Sequence, residues 1–245
     1  MLEDVARWIA ESKRMAFFGG AGTSTESGIP DFRSAAGLYN VRQGGDAPPE
    51  VMLSHTYFME HTERFFAFYK SYMIHKDAEP NAAHLALASW EREGKLNAVV
   101  TQNIDGLHQK AGSETVFELH GSVRRNRCMD CGRRYSLDDM LALPGVVPRC
   151  ETCGGVVKPD VVLYEEPLDE ATWSNAYRAI READLLIVGG TSLTVYPAAG
   201  LVNEFRGERL VMINRDETPY DRRASAVLRG NIGETLQTLR QAAGG

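Results

Sequence analysis

Met15-Ala16-Phe17-Phe18 runs straight into Gly19-Gly20, and the same event recurs along the chain: a short apolar run that stops at glycine or at a row of polar side chains. Asn97-Ala98-Val99-Val100 stops at Thr101-Gln102-Asn103, and Val116-Phe117-Glu118-Leu119 stops at His120-Gly121. Asp184 to Val188 enters Gly189-Gly190-Thr191-Ser192, and Leu210-Val211-Met212-Ile213 ends at Asn214-Arg215. Runs this short, bounded by turn residues, read as strands buried on both faces. Helical stretches separate them. Residues 2–14 set Leu2, Val5, Trp8 and Ile9 on one side; residues 81–93 start near Asn81 and stop at Gly94; the last helix covers 233–241. Strands alternating with helices predict an α/β chain with a parallel sheet, whose ligands sit at the C-terminal strand ends.

The bulk numbers bound the class of protein. The chain has 245 residues, 43% of them hydrophobic, enough for one large domain or a main domain with a satellite. Its net charge of −6 argues against dedicated nucleic-acid binding. No apolar run is long enough for a membrane span. The start, Met1-Leu2-Glu3-Asp4-Val5, lacks the basic opening and continuous apolar stretch of a signal peptide, which predicts a cytoplasmic protein.

Residues 122–155 break the pattern and read as an inserted module. They hold all four cysteines, as Cys128-x-x-Cys131 and, eighteen residues later, Cys150-x-x-Cys153. That spacing predicts one zinc ion. Four thiolates complete a tetrahedral shell and leave no position for water or substrate, so the expected site is structural. A redox dithiol would need only one pair. Arg127, Arg133, Arg134 and Arg149 offset the charge of the thiolates. A second insertion, residues 50–75, carries Tyr57, Phe58, Phe65, Phe66, Phe68, Tyr69 and Tyr72 and predicts helices packed by their own rings.

Gly20-Ala21-Gly22 is a turn that lets phosphates approach backbone N–H groups. The dinucleotide fingerprint is incomplete: Thr25 stands where its third glycine belongs, and residues 31–75 form no tidy βαβ unit. A plain dehydrogenase is therefore disfavoured. Asp31, Phe32 and Arg33 follow, an arginine to meet a pyrophosphate and a ring to cover a flat group. Gln102, Asn103 and Asp105 supply amides and a carboxylate suited to a ribose and a carboxamide.

Taken together, Gly20-Ala21-Gly22 through Arg33, Thr101 to His108, His120-Gly121, the paired Cys-x-x-Cys, Gly190-Thr191-Ser192 and Asn214 resemble the sirtuins, the NAD-dependent protein deacylases. The resemblance spans nearly the whole chain in family order. Lys158 to Glu166 is similar to the compact bacterial members. It implies a Rossmann-like sheet with helices on both faces, a zinc module and a helical insertion. The large NAD-binding part is expected at about 1–35, 78–121 and 156–245, the small part at about 36–77 and 122–155.

The resemblance also implies roles. The acyl oxygen of a modified lysine attacks C1′ of NAD as nicotinamide leaves; free lysine and 2′-O-acyl-ADP-ribose result. His120 matches the base, and Asn103, Ile104 and Asp105 match the nicotinamide and ribose pocket. Gln102 matches a ribose contact. Gly20, Ala21, Gly22, Thr25, Asp31, Phe32 and Arg33 match the stretch along the phosphates and ribose. Gly190, Thr191, Ser192, Asn214, Arg215 and Ile232 match the adenosine end. Val161, Val162, Leu163 and Tyr164 match the strand that pairs with the substrate backbone. Partners are then acylated proteins, with no membrane or nucleic acid and a monomer as the simplest state.

Three other readings compete: a mono-ADP-ribosyltransferase, an NAD-sensing binding protein and a zinc-ribbon nucleic-acid binder. His120 beside a full Asn103/Asp105 pocket favours deacylation over the first two, and overall acidity opposes the third. Acyl preference has a marker of its own. The desuccinylating branch carries Tyr-x-x-Arg where this chain has Tyr69-Lys70-Ser71-Tyr72, so an acidic acyl group lacks its arginine. Acetyl peptide is expected to outrun succinyl peptide in a side-by-side mass assay; comparable rates on both would reject this expectation.

Overall fold

The computed structural model describes residues 1–32, 37 and 47–243. In chain order, helix α1 (Leu2–Glu11) leads to strand β1 (Met15–Gly19) and a 3-10 turn over Ala21–Ser27. Helices α2 (Pro49–Met52), α3 (His55–Glu60), α4 (Thr62–Tyr72) and α5 (Ala82–Arg92) precede β2 (Leu96–Thr101). Then come α6 (Leu107–Lys110), β3 (Val116–Glu118), β4 (Gly121–Cys128), β5 (Arg134–Ser136), α7 (Leu137–Ala142) and β6 (Val157–Val161). Helix α8 (Glu170–Glu182), β7 (Leu185–Gly189), β8 (Arg209–Asn214), β9 (Ala226–Arg229) and α9 (Ile232–Ala243) complete the chain.

Local chemistry sets the boundaries. Asn81 caps α5 by accepting the Ala83 N–H at 2.9 Å, and the His84 ring accepts the Asn81 N–H in return. Gly94, with φ +72, takes the left-handed conformation that ends the helix. The aromatic insertion is three helices rather than one, because Ser54 caps α3 by accepting the Tyr57 N–H at 3.1 Å and so starts a new element.

All strands of the main sheet run parallel, in the order β3-β2-β1-β7-β8-β9. Its two faces are covered, as the sequence predicts. Val5, Ile9, Leu87, Trp90, Leu236 and Leu239 of α1, α5 and α9 pack on one face. Ala176 and Ile180 of α8, with Ala198 to Val202, pack on the other. Strands β1 and β7 are buried at every position. Strand β9 escaped the sequence reading, since an edge strand with only Ala226 buried carries no strong apolar run.

A second core joins the two insertions. Phe58, Phe65, Phe66 and Tyr69 of the helical segment meet Val123, Tyr135, Met140 and Val157 of the cysteine module. The module is built on an antiparallel sheet, β5-β4-β6. That sheet runs past the change of composition at residue 155, because Val157, Pro159 and Val161 of β6 alternate inward against β4.

Two histidines sit inside the main core. The rings of His84 and His108 lie 4.7 Å apart, at 0% and 1% exposure. Desolvation drives both below the usual imidazole range, His84 to about 4. Unfolded, both protonate near pH ~6.5. Between about 4 and 6.5 the unfolded chain therefore binds more protons, and stability rises with pH. Urea denaturation is expected to give about 2 kcal/mol less stability at pH 5 than at pH 7 from His84 alone. An unchanged midpoint would reject the neutral pair.

Candidate active site

The sheet order places the reversal of connectivity between β1 and β7, and the loops after these two strands cross there. The Gly22 N–H donates to the Gly190 carbonyl at 2.8 Å. A Cβ on Gly22 would stand 2.8 Å from that oxygen, and one on Gly20 would stand 2.8 Å from Thr191 Cβ. The glycines of the first turn are thus required by the loop crossing as well as by any approach of a phosphate. They feed a seven-residue 3-10 turn, not an α-helix.

A cleft of about 450 Å³ opens at this crossing. Its wall contains Gly20, Ala21, Gly22, Asp31 and Phe32; Gln102, Asn103, Ile104 and Asp105; His120; Val161 to Tyr164; Gly190, Thr191 and Ser192; and Asn214, Arg215 and Ile232. Nearly every residue singled out from the sequence is brought to one place. Thr25 lies off the wall: its hydroxyl donates to the Gly22 carbonyl at 3.0 Å and accepts from Arg215 at 3.1 Å, closing the turn. Arg33 lies outside the described residues.

Ser24 is the hub that single-residue reading passed over. Its hydroxyl donates to the Asp105 carboxylate at 2.7 Å and accepts the Asn103 Nδ2 at 3.0 Å, at 1% exposure. Asp105 also accepts the Leu107 N–H at 2.9 Å, and the Asn103 N–H donates to the Thr101 hydroxyl oxygen at 3.0 Å. Asn103 and Asp105 are thereby fixed before any ligand arrives. Ser24 lies in the stretch between Gly22 and Arg33, but only the tertiary contact singles it out. Leu53, Tyr72 and Met73 also reach the wall from the helical insertion, and Ile29, Val195 and Glu217 from further along the loops after β1, β7 and β8.

His120 follows β3. Its Nδ1–H donates to the Gln102 carbonyl at 3.0 Å, which fixes the tautomer and leaves Nε2 free to accept a proton. Burial lowers its pKa, against a smaller upward pull from that carbonyl. The ring is neutral at pH 7, the form a base requires. Gly121, at φ +74, makes the turn behind it; a Cβ there would overlap the Asp160 carbonyl at 1.9 Å.

On the β7–β8 side of the cleft, Asn214 Oδ1 accepts the Thr191 N–H at 2.9 Å, while its buried Nδ2 has no partner among the described residues. Gln102 Nε2 donates to the Thr191 hydroxyl at 3.1 Å. An orphan buried amide on the wall of a polar cleft is a donor suited to a ribose or base. Together with the crossed glycine loops, it fits a dinucleotide.

The cysteines converge as predicted. The four Sγ atoms lie within 4.8 Å of one another, with Cys128–Cys153 at 3.4 Å and Cys131–Cys150 at 3.6 Å. Tetrahedral zinc with ~2.3 Å bonds sets sulfurs ~3.8 Å apart, so the cluster suits the ion. The Tyr135 hydroxyl donates to Cys150 Sγ at 3.2 Å, a second-layer support for a thiolate.

Such a site, a nucleotide cleft at the switch point of a parallel sheet beside a four-thiol metal module, defines an α/β enzyme of the nucleotide-using class. The profile of the Sir2 family matches residues 20–197. An NAD-dependent protein deacetylase of Clostridium acetobutylicum is 57% identical over 238 residues, 97% of each chain. One of Cutibacterium acnes is 57% identical over 240 residues, 98% of each chain. Among solved structures, a Sir2–p53 peptide–NAD+ complex has a TM-score of 0.88 at 35% identity, covering 100% of this chain and 99% of its own. A Sir2Tm structure bound to a propionylated peptide has a TM-score of 0.87 at 34% identity, covering 99% and 98%. The chain belongs to the Sir2 family.

The metal module touches the site directly. Along β4, the Val123 N–H donates to the Ile104 carbonyl at 2.9 Å, and Arg124 Nε reaches the Asp105 carbonyl at 3.4 Å. The same strand ends at Cys128. Metal analysis is expected to give one zinc per chain. Stripping it with a strong chelator should lower the melting midpoint by about 10 °C or more and abolish NAD-dependent activity. Full activity in metal-free protein would overturn the assignment.

Proposed function

We propose that the cleft binds NAD and acyl-lysine together, and that this chain is an NAD-dependent protein lysine deacetylase with the roles below. The reaction takes acyl-lysine, NAD and water to lysine, nicotinamide and 2′-O-acyl-ADP-ribose. The observation that carries the reading is His120: a half-buried, neutral imidazole whose tautomer is set by Gln102, on the wall that Asn103 and Asp105 share.

NAD supplies the ribose carbon that accepts the acyl oxygen and releases nicotinamide. Asn103, Ile104 and Asp105, locked by Ser24, hold the nicotinamide and ribose end. Gly20, Ala21 and Gly22, with Asp31 and Phe32, line the path of the phosphates and the reacting ribose. Gly190, Thr191, Ser192, Asn214, Arg215 and Ile232 hold the adenosine end. His120 Nε2 takes the proton of a ribose hydroxyl, for which a neutral ring and a fixed tautomer are the requirement. Val161 to Tyr164 pair with the substrate backbone; their inner edge is already occupied, since Val162 N–H donates to the His120 carbonyl at 2.9 Å.

The two apolar cores support a division into a large NAD-binding part (about 1–35, 78–121 and 156–245) and a small part (about 36–77 and 122–155), the sheet of the latter reaching Val161. Four zinc thiolates need a reducing compartment, which supports the cytoplasm. Among the described residues no helix is long and apolar enough to cross a membrane. A monomer is the simplest state, since one chain supplies the residues to which these roles are given. The net charge of −6 supports a reading without nucleic-acid binding.

The test is an acetyl-lysine peptide with and without NAD, following peptide mass and nicotinamide. Loss of one acetyl group per nicotinamide is expected. His120→Ala should lower the rate roughly 10²–10⁴-fold. Because burial lowers the His120 pKa, the acid limb of the rate profile should fall below the ordinary imidazole value of ~6.5. Nicotinamide release with the acetyl group retained would favour ADP-ribosyl transfer instead.

A further inference from the structure

Glu165 and Glu166 follow segment 161–164, and the sequence leaves two readings open, an acidic lip for basic residues flanking the target lysine and a solvated acidic edge. In the structure both carboxylates are engaged by neighbouring groups, Glu166 half-buried and Glu165 exposed. Glu166, 20% exposed, accepts the Leu163 N–H at 2.9 Å, the Lys158 ammonium at 3.2 Å and His55 Nδ1 at 2.9 Å. Lys158, 18% exposed, also donates to the Val161 carbonyl at 3.0 Å and the Pro159 carbonyl at 3.3 Å, and lies 5.9 Å from the Phe58 ring centre. Glu165 holds a left-handed backbone, φ +75, and accepts both the N–H and the hydroxyl of Thr56, at 2.9 and 2.7 Å.

These contacts join two walls of the cleft. The main chain adds to them: Tyr164 N–H donates to the Leu53 carbonyl, and His55 N–H donates to the Tyr164 carbonyl, each at 3.0 Å. Leu53 and Tyr164 both line the cleft. Segment 161–164, which continues from β6, is the part proposed to receive peptide backbone. Leu53 belongs to the helical insertion, which also brings Tyr69, Tyr72 and Met73 to the cleft wall.

We propose that Glu166 is a positioning residue for the peptide substrate. Its paired charge with Lys158, tied to His55, holds segment 161–164 and the start of α3 as one unit, so that peptide backbone and acyl-lysine side chain are received at a fixed offset. Two mostly buried charges and three main-chain groups depend on this one carboxylate and its lysine, and loss of the carboxylate leaves the ammonium without its counter-charge. The NAD wall, formed by the loops after β1, β2, β7 and β8, has no contact with this carboxylate in the bonds described.

The inference rests on the deacetylase reading for its substrate, so its test has two readouts. In Glu166→Gln, the amide still accepts the Leu163 N–H but carries no charge. The KM for acetyl-lysine peptide is expected to rise roughly five- to twentyfold, with kcat and the KM for NAD within about twofold. Hydrogen exchange should quicken at residues 161–166 and 53–56 and stay unchanged in the main sheet. The variant Lys158→Met with Glu166→Gln removes both charges and checks that a buried lone ammonium is not the cause: its peptide KM should remain raised. Unchanged peptide KM overturns the proposal. So does a matched loss in kcat and both KM values with a lower melting midpoint, which is general destabilisation. If the wild-type protein removes no acetyl group, the deacetylase reading fails by itself; exchange at 161–166 unchanged in Glu166→Gln would then still reject the clamp.

Discussion

The level, parallel pairing of β1 with its two neighbours is the constraint on which the site depends. Gly19 stands opposite Thr101 on one side and Gly189 on the other; Thr101 in turn faces Glu118, and Gly189 faces Ile213. With this register, every strand delivers its first polar residues at the same height and on the same edge. Parallel strands buried on both faces leave no other place for chemistry. A shift of one strand by a single residue would turn its side chains to the opposite face and draw His120 or Asn103 away from the cleft.

Close approach of the two central loops follows from that register, and it explains why small residues gather there. Gly20, Gly22 and Gly190 leave room for backbone against backbone. Thr23 and Ser24 fold beneath them at 0% and 1% exposure, and the Ser24 hydroxyl reaches across to the loop after β2. The Ser24 hydroxyl fills a specific electrical need. It donates to one carboxylate and accepts from one amide, so Asp105 and Asn103 present their remaining atoms in a fixed orientation. His120 is set in the same manner, by a carbonyl of the neighbouring loop. The site is organised by hydrogen bonds that do not wait for a ligand, which reduces the reorganisation needed once one binds.

The metal module and the helical insertion act through a shared core and through strand β4. Starting just after His120, β4 touches Ile104 and Asp105 and ends at the first zinc cysteine. A metal site remote in sequence is therefore one strand away from the loop that carries Asn103 and Asp105. The Lys158–Glu166–His55 cluster does the corresponding work on the opposite side, where β6 leaves the module sheet for the cleft.

Apolar runs ending at glycine, the four-cysteine spacing and the clusters around Asn103 and His120 were legible because each is a local signal. Strand burial, thiolate coordination and cap chemistry depend on residues close in sequence or on counts. From these the sequence determined a parallel α/β sheet, a zinc module and the position of most of the cleft wall. It did not determine Ser24 as the hub, Thr25 as a turn-closer off the wall, the partners of Glu165 and Glu166 at the start of α3, or the extension of the module sheet through β6. Each of those is a contact between segments far apart in the chain, such as Ser24 with Asp105 and Glu166 with His55. A hydroxyl or carboxylate has the same local signature whether it faces solvent or a buried partner, and only the tertiary structure decides which partner it meets.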